Sequence, residues 1–164
     1  MPMLMAGQPA PAFQLTTTHG EPLSSSVALG KGPLLLAFFK VSCPTCQYTF
    51  PFLERLHQQP TGQKAQVWGV AQDKAQHAAQ FANTFGVTFP ILIDDAPYRI
   101  SGQYGLAHVP SIFLIAPDGR IELTSEGFCK SELLAMQKSL LQTNSVVPAA
   151  LFLPTERVPE YKPG

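Results

Sequence analysis

Charge is scarce in this sequence, and what there is cancels. Eleven Lys and Arg stand against eleven Asp and Glu, and charged residues amount to 13% of the chain without any basic cluster. Such a chain offers no footprint for a nucleic-acid backbone or an anionic membrane, so neither is expected as a partner. Long apolar runs are missing too. Residues 34–39 and the Pro-interrupted stretch 146–153 fall far short of the roughly 18 residues that span a bilayer, so a soluble protein without a membrane span is expected. The opening Met-Pro-Met-Leu-Met-Ala lacks the basic segment and apolar run of a secretory signal. That start points to the cytoplasm, or to the periplasm or the exterior if a leader has been removed. Cysteine is sparse as well. Three in 164 residues cannot form a dense, even-numbered disulfide framework, which leaves a chemical use for them as the better reading.

What is present suits one domain. A chain of 164 residues that is 45% hydrophobic can bury a core without disulfide or metal staples. No repeat of 20 to 50 residues is found. Strand formers around Phe13, Leu15 and Thr16, followed by His19-Gly20 and Pro22-Leu23, predict an N-terminal hairpin. Behind the breaker Gly30-Lys31-Gly32-Pro33, residues 34–40 read as a strand buried on both faces. Thr49, Phe52, Leu53 and Leu56 lie at i, i+3, i+4 and i+7, predicting a helix from Pro44 to Gln58 that Pro51 should kink.

A strand over Gln66–Ala71 follows, then a helix with Ala75, Ala78, Ala79, Ala82 and Phe85 on one face, then a short strand at residues 90–93. Residues 111–116 read as another strand, and Pro117-Asp118-Gly119 turns it into a return strand over residues 120–124. A last helix presents Leu133, Met136, Leu140 and Leu141, with Ser131 as its expected N-cap. The order implies an α/β sandwich with a mixed sheet. We divide the chain into a domain of residues 1–143 and a proline-rich tail of residues 144–164, extended or loop-like, whose residues 151–153 can pack on the domain.

Cys43 and Cys46 carry the chemistry. Cys43 lies just past a buried strand at the start of a helix, where unpaired amides and the positive end of the helix dipole favour a thiolate. Pro44 suits the first helical turn, since it has no amide hydrogen to satisfy there. Cys46, one turn in, is more shielded and can close a disulfide with Cys43 or break a mixed one. We therefore assign Cys43 as the attacking thiol and Cys46 as the resolving thiol. Half a zinc site would also begin with Cys-x-x-Cys, but only Cys129 remains, too few ligands for a structural site. A pair of merely buried small residues is the other bland reading. Cys129 itself reads as a packing residue rather than a third redox thiol.

Several motifs in register resemble the thioredoxin superfamily, within it the TlpA-like and alkyl hydroperoxide reductase/thiol-specific antioxidant (redoxin) group. They are Gly7-Gln8-Pro9-Ala10-Pro11 leading to Phe13 and Leu15, Phe38-Phe39-Lys40-Val41-Ser42-Cys43-Pro44-Thr45-Cys46, Pro51, Phe89-Pro90 through Asp94, and Tyr104-Gly105-Leu106-Ala107-His108-Val109-Pro110-Ser111 ahead of Asp118-Gly119. The likeness covers residues 6 to about 142. It implies a thioredoxin-like three-layer α/β/α sandwich with a mixed central sheet. It also implies a cis Val109-Pro110 bond facing the dithiol, with Pro110 part of the catalytic set and Val109 free to pair with an extended substrate.

Pro44, Thr45 and His108 join Val109 as expected substrate-facing residues, His108 having a surface position as its other reading. Lys40 could favour the thiolate if it pointed inward, but a solvated Lys40 is the better reading. Where relatives carry a buried acid or amide and an aromatic before the first cysteine, this chain has Ala37 and Ser42, which leaves the proton acceptor of Cys46 unassigned.

The resulting expectation is a thiol-disulfide oxidoreductase that exchanges electrons with protein thiols or disulfides and with an upstream redox partner, using no cofactor beyond its own redox-active disulfide. Two alternatives are weighed. A peroxidase of the peroxiredoxin type would carry Thr or Ser three residues before its cysteine and a proline upstream, where this chain has Lys40 and Leu36. A thioredoxin-fold copper carrier would use the thiolates, which suit Cu(I), together with a histidine. Dithiols in this fold span about −270 to about −120 mV, so the motif sets no direction of transfer.

Overall fold

In the computed structural model, which describes residues 2–59, 64–141 and 149–164, the chain opens with the expected hairpin of β1 (Gln14–Thr17) and β2 (Pro22–Ser24). Gly20 makes the turn at φ +84°, where a side chain would be strained. The Ser24 hydroxyl then accepts from the Val27 amide and caps a short helix α1 (Ser25–Leu29), which sequence patterning did not reveal. The apolar run becomes β3 (Leu34–Phe39), buried at every position. Its side chains alternate between two cores: Leu35, Ala37 and Phe39 on one face of the sheet, Leu34, Leu36 and Phe38 on the other.

The remaining elements are α2 (Pro44–Gln58), β4 (Gln66–Ala71), α3 (Ala75–Phe85), β5 (Ile91–Ile93), α4 (Arg99–Gln103), β6 (Ser111–Ile115), β7 (Ile121–Glu126), β8 (Phe128–Cys129), α5 (Lys130–Leu141) and β9 (Tyr161–Lys162). Seven strands form one sheet in the order β2-β1-β5-β4-β3-β6-β7. The sheet is mixed, since β3 runs parallel to β4 and antiparallel to β6. Residues of α2, α3 and α5 fill the core on one face, and those of α1 and α4 join the core on the other. This is the three-layer α/β/α sandwich the sequence predicts. No helix among the described residues is long and apolar enough to cross a membrane.

Three details differ from the sequence reading. Of the predicted α3 face, Ala78 is buried and Ala82 and Phe85 pack against the core, but Ala75 is exposed and the largest anchor is Phe81, whose ring meets Phe39 and Phe50. α4 escaped notice because five residues show no helical period. It is held instead by Asp94, whose carboxylate accepts from the Ile100 and Ser101 amides and the Ser101 hydroxyl. Ser131 is not the N-cap of α5. The helix begins at Lys130, and the Lys130 and Ser131 amides donate to the carbonyl and the carboxylate of Glu160, 2.7 and 3.2 Å away.

The line drawn between residues 143 and 144 lies outside the described residues, but residues 149–164 return to the domain. Leu151 is buried in the core beside α2 and α5, Phe152 packs on Phe52 and Phe128, and Leu153 is exposed. Arg55 clasps the segment, donating to the Leu151 carbonyl and, through both terminal nitrogens, to Glu156. That pairing, with the Leu153 amide, holds the Glu156 carboxyl down to about 2. Beyond Glu160, β9 pairs antiparallel with β8, aligning Lys162 with Phe128 and Tyr161 with Cys129.

Candidate redox site

The dithiol sits where β3 gives way to α2. The intervening loop is pinned from three sides: the Val41 amide donates to the Asp73 carboxylate at 2.9 Å, Gln47 donates to the Val41 carbonyl at 2.9 Å, and the Cys43 amide donates to the Lys40 carbonyl at 3.1 Å. Cys43 is the N-cap of α2, with extended backbone, and Pro44 occupies the first turn. A sulfur thus takes the role usually filled by a hydroxyl or carboxylate oxygen. The Cys46 amide donates to Cys43 Sγ at 3.1 Å, so a backbone group left free by the helix geometry points at the sulfur expected to attack.

Both cysteines of the pair are present as free thiols, and they differ in exposure. Cys43 is half-buried and Cys46 fully buried. Burial pushes the Cys46 thiol up, and its hydrogen bond with Cys43 adds to the shift; the Lys40 amide opposes it, while the Cys43 and Asp73 charges reinforce it. Cys46 therefore holds its proton at neutral pH.

Across from the pair lies the loop ahead of β6. Its Val109-Pro110 bond is cis, as the resemblance implies, and the Cys43 thiol donates to the Val109 carbonyl at 3.5 Å. A groove of about 490 Å³ is bordered by Lys40, Cys43, Pro44, His108, Val109 and Gly164. Among the expected site residues, Cys43, Pro44, His108 and Val109 meet in this groove. Cys46 and Pro110 are buried and do not line it, and Pro110 accepts the Gly127 amide at 2.8 Å. Thr45 is turned to another partner, its hydroxyl donating to the Pro163 carbonyl at 2.6 Å. His108 borders the groove and is exposed, and its Nε2 lies 3.9 Å from Glu126.

Lys40 borders the groove and is exposed. Cys129 is half-buried in β8, its sulfur 3.5 Å from the Ser131 hydroxyl. Ala37 is buried between Gly69 and Ile112 of the flanking strands, with no acid in its place.

Sequence reasoning missed three neighbours of the dithiol: Asp73, Pro163 and Gly164. Asp73 follows β4, whose carboxyl end lies beside that of the parallel β3, so an acid just past the neighbouring strand was a signal available in principle. Residues 163 and 164 gave no such signal, because their contacts with the site join positions more than fifty residues apart. Among the described residues, no three His, Cys, Asp or Glu side chains gather as a metal-binding group.

The model of the AhpC/TSA family matches residues 6–124. The chain belongs to the AhpC/TSA family. Within reach of this family, the thioredoxin-like protein YneN of Bacillus subtilis is 32% identical over 122 residues, 73% of this chain and 70% of the relative. The thiol-disulfide oxidoreductase ResA of Bacillus anthracis is 29% identical over 119 residues, 72% of this chain and 68% of the relative. The fold is shared with the thioredoxin domain of a thiol-disulfide oxidoreductase from Bacteroides vulgatus (TM-score 0.73, 19% identity, 84% of this chain and 99% of that one). It is shared almost as closely with peroxidoxin BcpB of Mycobacterium tuberculosis (TM-score 0.69, 19% identity, 87% and 99%). The same overall shape thus occurs in proteins named for exchange and for peroxide chemistry, and the residues around Cys43 must distinguish them.

Proposed function

We propose that this AhpC/TSA-family member is a thiol-disulfide oxidoreductase in which Cys43 attacks and Cys46 resolves. The observation that carries the reading is the asymmetry of the pair: an accessible sulfur receiving a helix amide, and a buried, protonated one a single turn behind it. In the reducing direction the Cys43 thiolate attacks one sulfur of a partner disulfide. The partner's S–S bond breaks, a mixed disulfide forms, and the other partner sulfur leaves as thiolate. Cys46 then gives up its proton and attacks Cys43 Sγ, which closes the Cys43/Cys46 disulfide and releases the second partner sulfur. Two electrons pass to the partner, whose thiolates take up protons, and the reverse order oxidises a partner dithiol.

Relatives named for this exchange support the reading, as does the environment of Cys43. Leu36 is buried in β3 and Lys40 is exposed where a peroxidase would carry its proline and hydroxyl, so those two positions supply no hydroxyl to orient a peroxide. The exchange needs no group beyond the two cysteines, and its substrates are protein thiols and disulfides with an upstream redox partner to reset the pair. The test is Cys43→Ser. Reduction of insulin disulfides should fall about 10³-fold or more, as removal of a nucleophile does elsewhere. A variant as active as the parent overturns the proposal, and so does fast, saturable hydrogen peroxide consumption by the parent.

A further inference from the structure

On the reading of Cys43 as the attacking sulfur, residues 161–164 bear on how a polypeptide reaches it. We propose that residues 161–164 form a strap lying in the position an extended partner must take, so that docking of a protein disulfide requires the strap to leave first. This inference rests on the proposed exchange activity and adds regulated access to it.

The strap touches both walls of the redox site. From the Cys43 side, the Thr45 hydroxyl donates to the Pro163 carbonyl. From the cis-proline side, Gly164 lies so close to Val109 that a Cβ on it would clash with the Val109 carbonyl. That carbonyl also receives the Cys43 thiol and is the group an extended substrate would pair with. Between the walls, the strap passes over Gly127, where an added Cβ would meet the Lys162 carbonyl at 2.5 Å and the Gly164 nitrogen at 3.2 Å. Gly127 has a φ of +73° as well, so its lack of a side chain serves both the turn out of β7 and the approach of the strap. β9 thus occupies the edge of β8 in the way a bound strand would.

The strap is tied firmly upstream and lightly at its tip. Leu151, the Arg55 pair with Glu156 and the Glu160 contacts with α5 hold residues 151–160 to the domain. Past Glu160, the strap is held by its two-residue pairing with β8, by the Thr45 hydrogen bond and by the Lys162 ammonium 4.4 Å from the centre of the Tyr48 ring, while Tyr161, Pro163 and Gly164 are exposed. An intramolecular ligand held this way competes at high effective concentration yet releases at modest cost. Small disulfides can enter the groove beside Lys40 without displacing it, whereas a polypeptide pairing with Val109 cannot.

The test compares the full chain with a variant ending at Glu160 and with Gly164→Val, which alters neither cysteine and cannot seat against Val109. With insulin as the substrate, the shortened protein should react about tenfold faster, equivalent to about 1.4 kcal/mol. Gly164→Val should show a smaller gain in the same direction, and a small aromatic disulfide should react with all three proteins within about twofold. A labelled peptide Pro-Glu-Tyr-Lys-Pro-Gly should bind the shortened protein and not the full chain, also when Cys43 is replaced by Ser. Unchanged or slower insulin reduction in both variants, or equal acceleration with both substrates, overturns the strap. Loss of the exchange reading shows separately, as Cys43→Ser retaining activity, and leaves peptide binding as the measure of the strap.

Discussion

Cys43 and Cys129 occupy equivalent places in the architecture: each ends a strand or its exit loop immediately before a helix, and each is half-buried. Their helices nevertheless satisfy their free amides differently. At α2 the Cys43 sulfur is itself the cap, and the Cys46 amide donates to it. At α5 the first two amides are taken by Glu160 from the returning tail, and the Cys129 sulfur lies near the Ser131 hydroxyl in a paired strand. On the proposed reading, a helix N-terminus alone does not make a redox cysteine. The difference between the two is that the Cys43 sulfur is the cap and that a second sulfur stands one turn behind it.

The sharpest way to break this comparison is to remove one sulfur from each helix. Cys46→Ser should cut steady-state insulin reduction about 100-fold or more while leaving Cys43 able to attack, so the mixed disulfide accumulates and is visible in non-reducing mass spectra. Cys129→Ser should change the rate less than about twofold, since nothing in the exchange passes through it. Equal losses in the two variants would erase the distinction.

A second effect, of intermediate size, follows from the buried Cys46. The folded, reduced protein holds that proton more tightly than the unfolded chain, whose thiol loses it near 9. The stability this provides is complete below that pH and is lost as pH rises above it, by up to about 1.4 kcal/mol per pH unit. The oxidised protein has no Cys46 thiol and lacks this slope. Urea unfolding of both forms at about pH 8 and about pH 10 should show the reduced form weakening relative to the oxidised one. Parallel behaviour of the two would mean that Cys46 is not shielded.

The smallest effect sharpens the other helix. Glu160→Ala deletes the carboxylate that accepts from Ser131 but keeps the backbone carbonyl that accepts from Lys130. It should cost about 0.5 to 1 kcal/mol of stability in thermal or urea unfolding. Ser131→Ala, by contrast, should be nearly neutral, because its hydroxyl is not the cap.

Most of the sheet was legible because it is written in short-range chemistry. The run from Leu34 to Phe39 is apolar at every position, so it could only be a strand covered on both faces. Pro117-Asp118-Gly119 is strong turn chemistry, and Pro44 suits the first turn of a helix. α1 and α4 were illegible because five residues carry no period, and Phe81 was missed on α3 because alanines mark a helical face without showing where the large anchor stands. At the site, the cysteine pair and Val109-Pro110 were visible through motif context, whereas Asp73 and the tail were not.

The sequence alone determined that two cysteines stand one helical turn apart behind a buried strand, since spacing and position depend only on neighbouring residues. The structure decided which groups surround them: Val41 held by Asp73, α5 capped by Glu160, and Thr45 and Val109 met by Pro163 and Gly164. These contacts join positions about 30 to 118 residues apart. No local pattern encodes them, because they exist only once the sheet and helices have packed and left particular amides and carbonyls within reach.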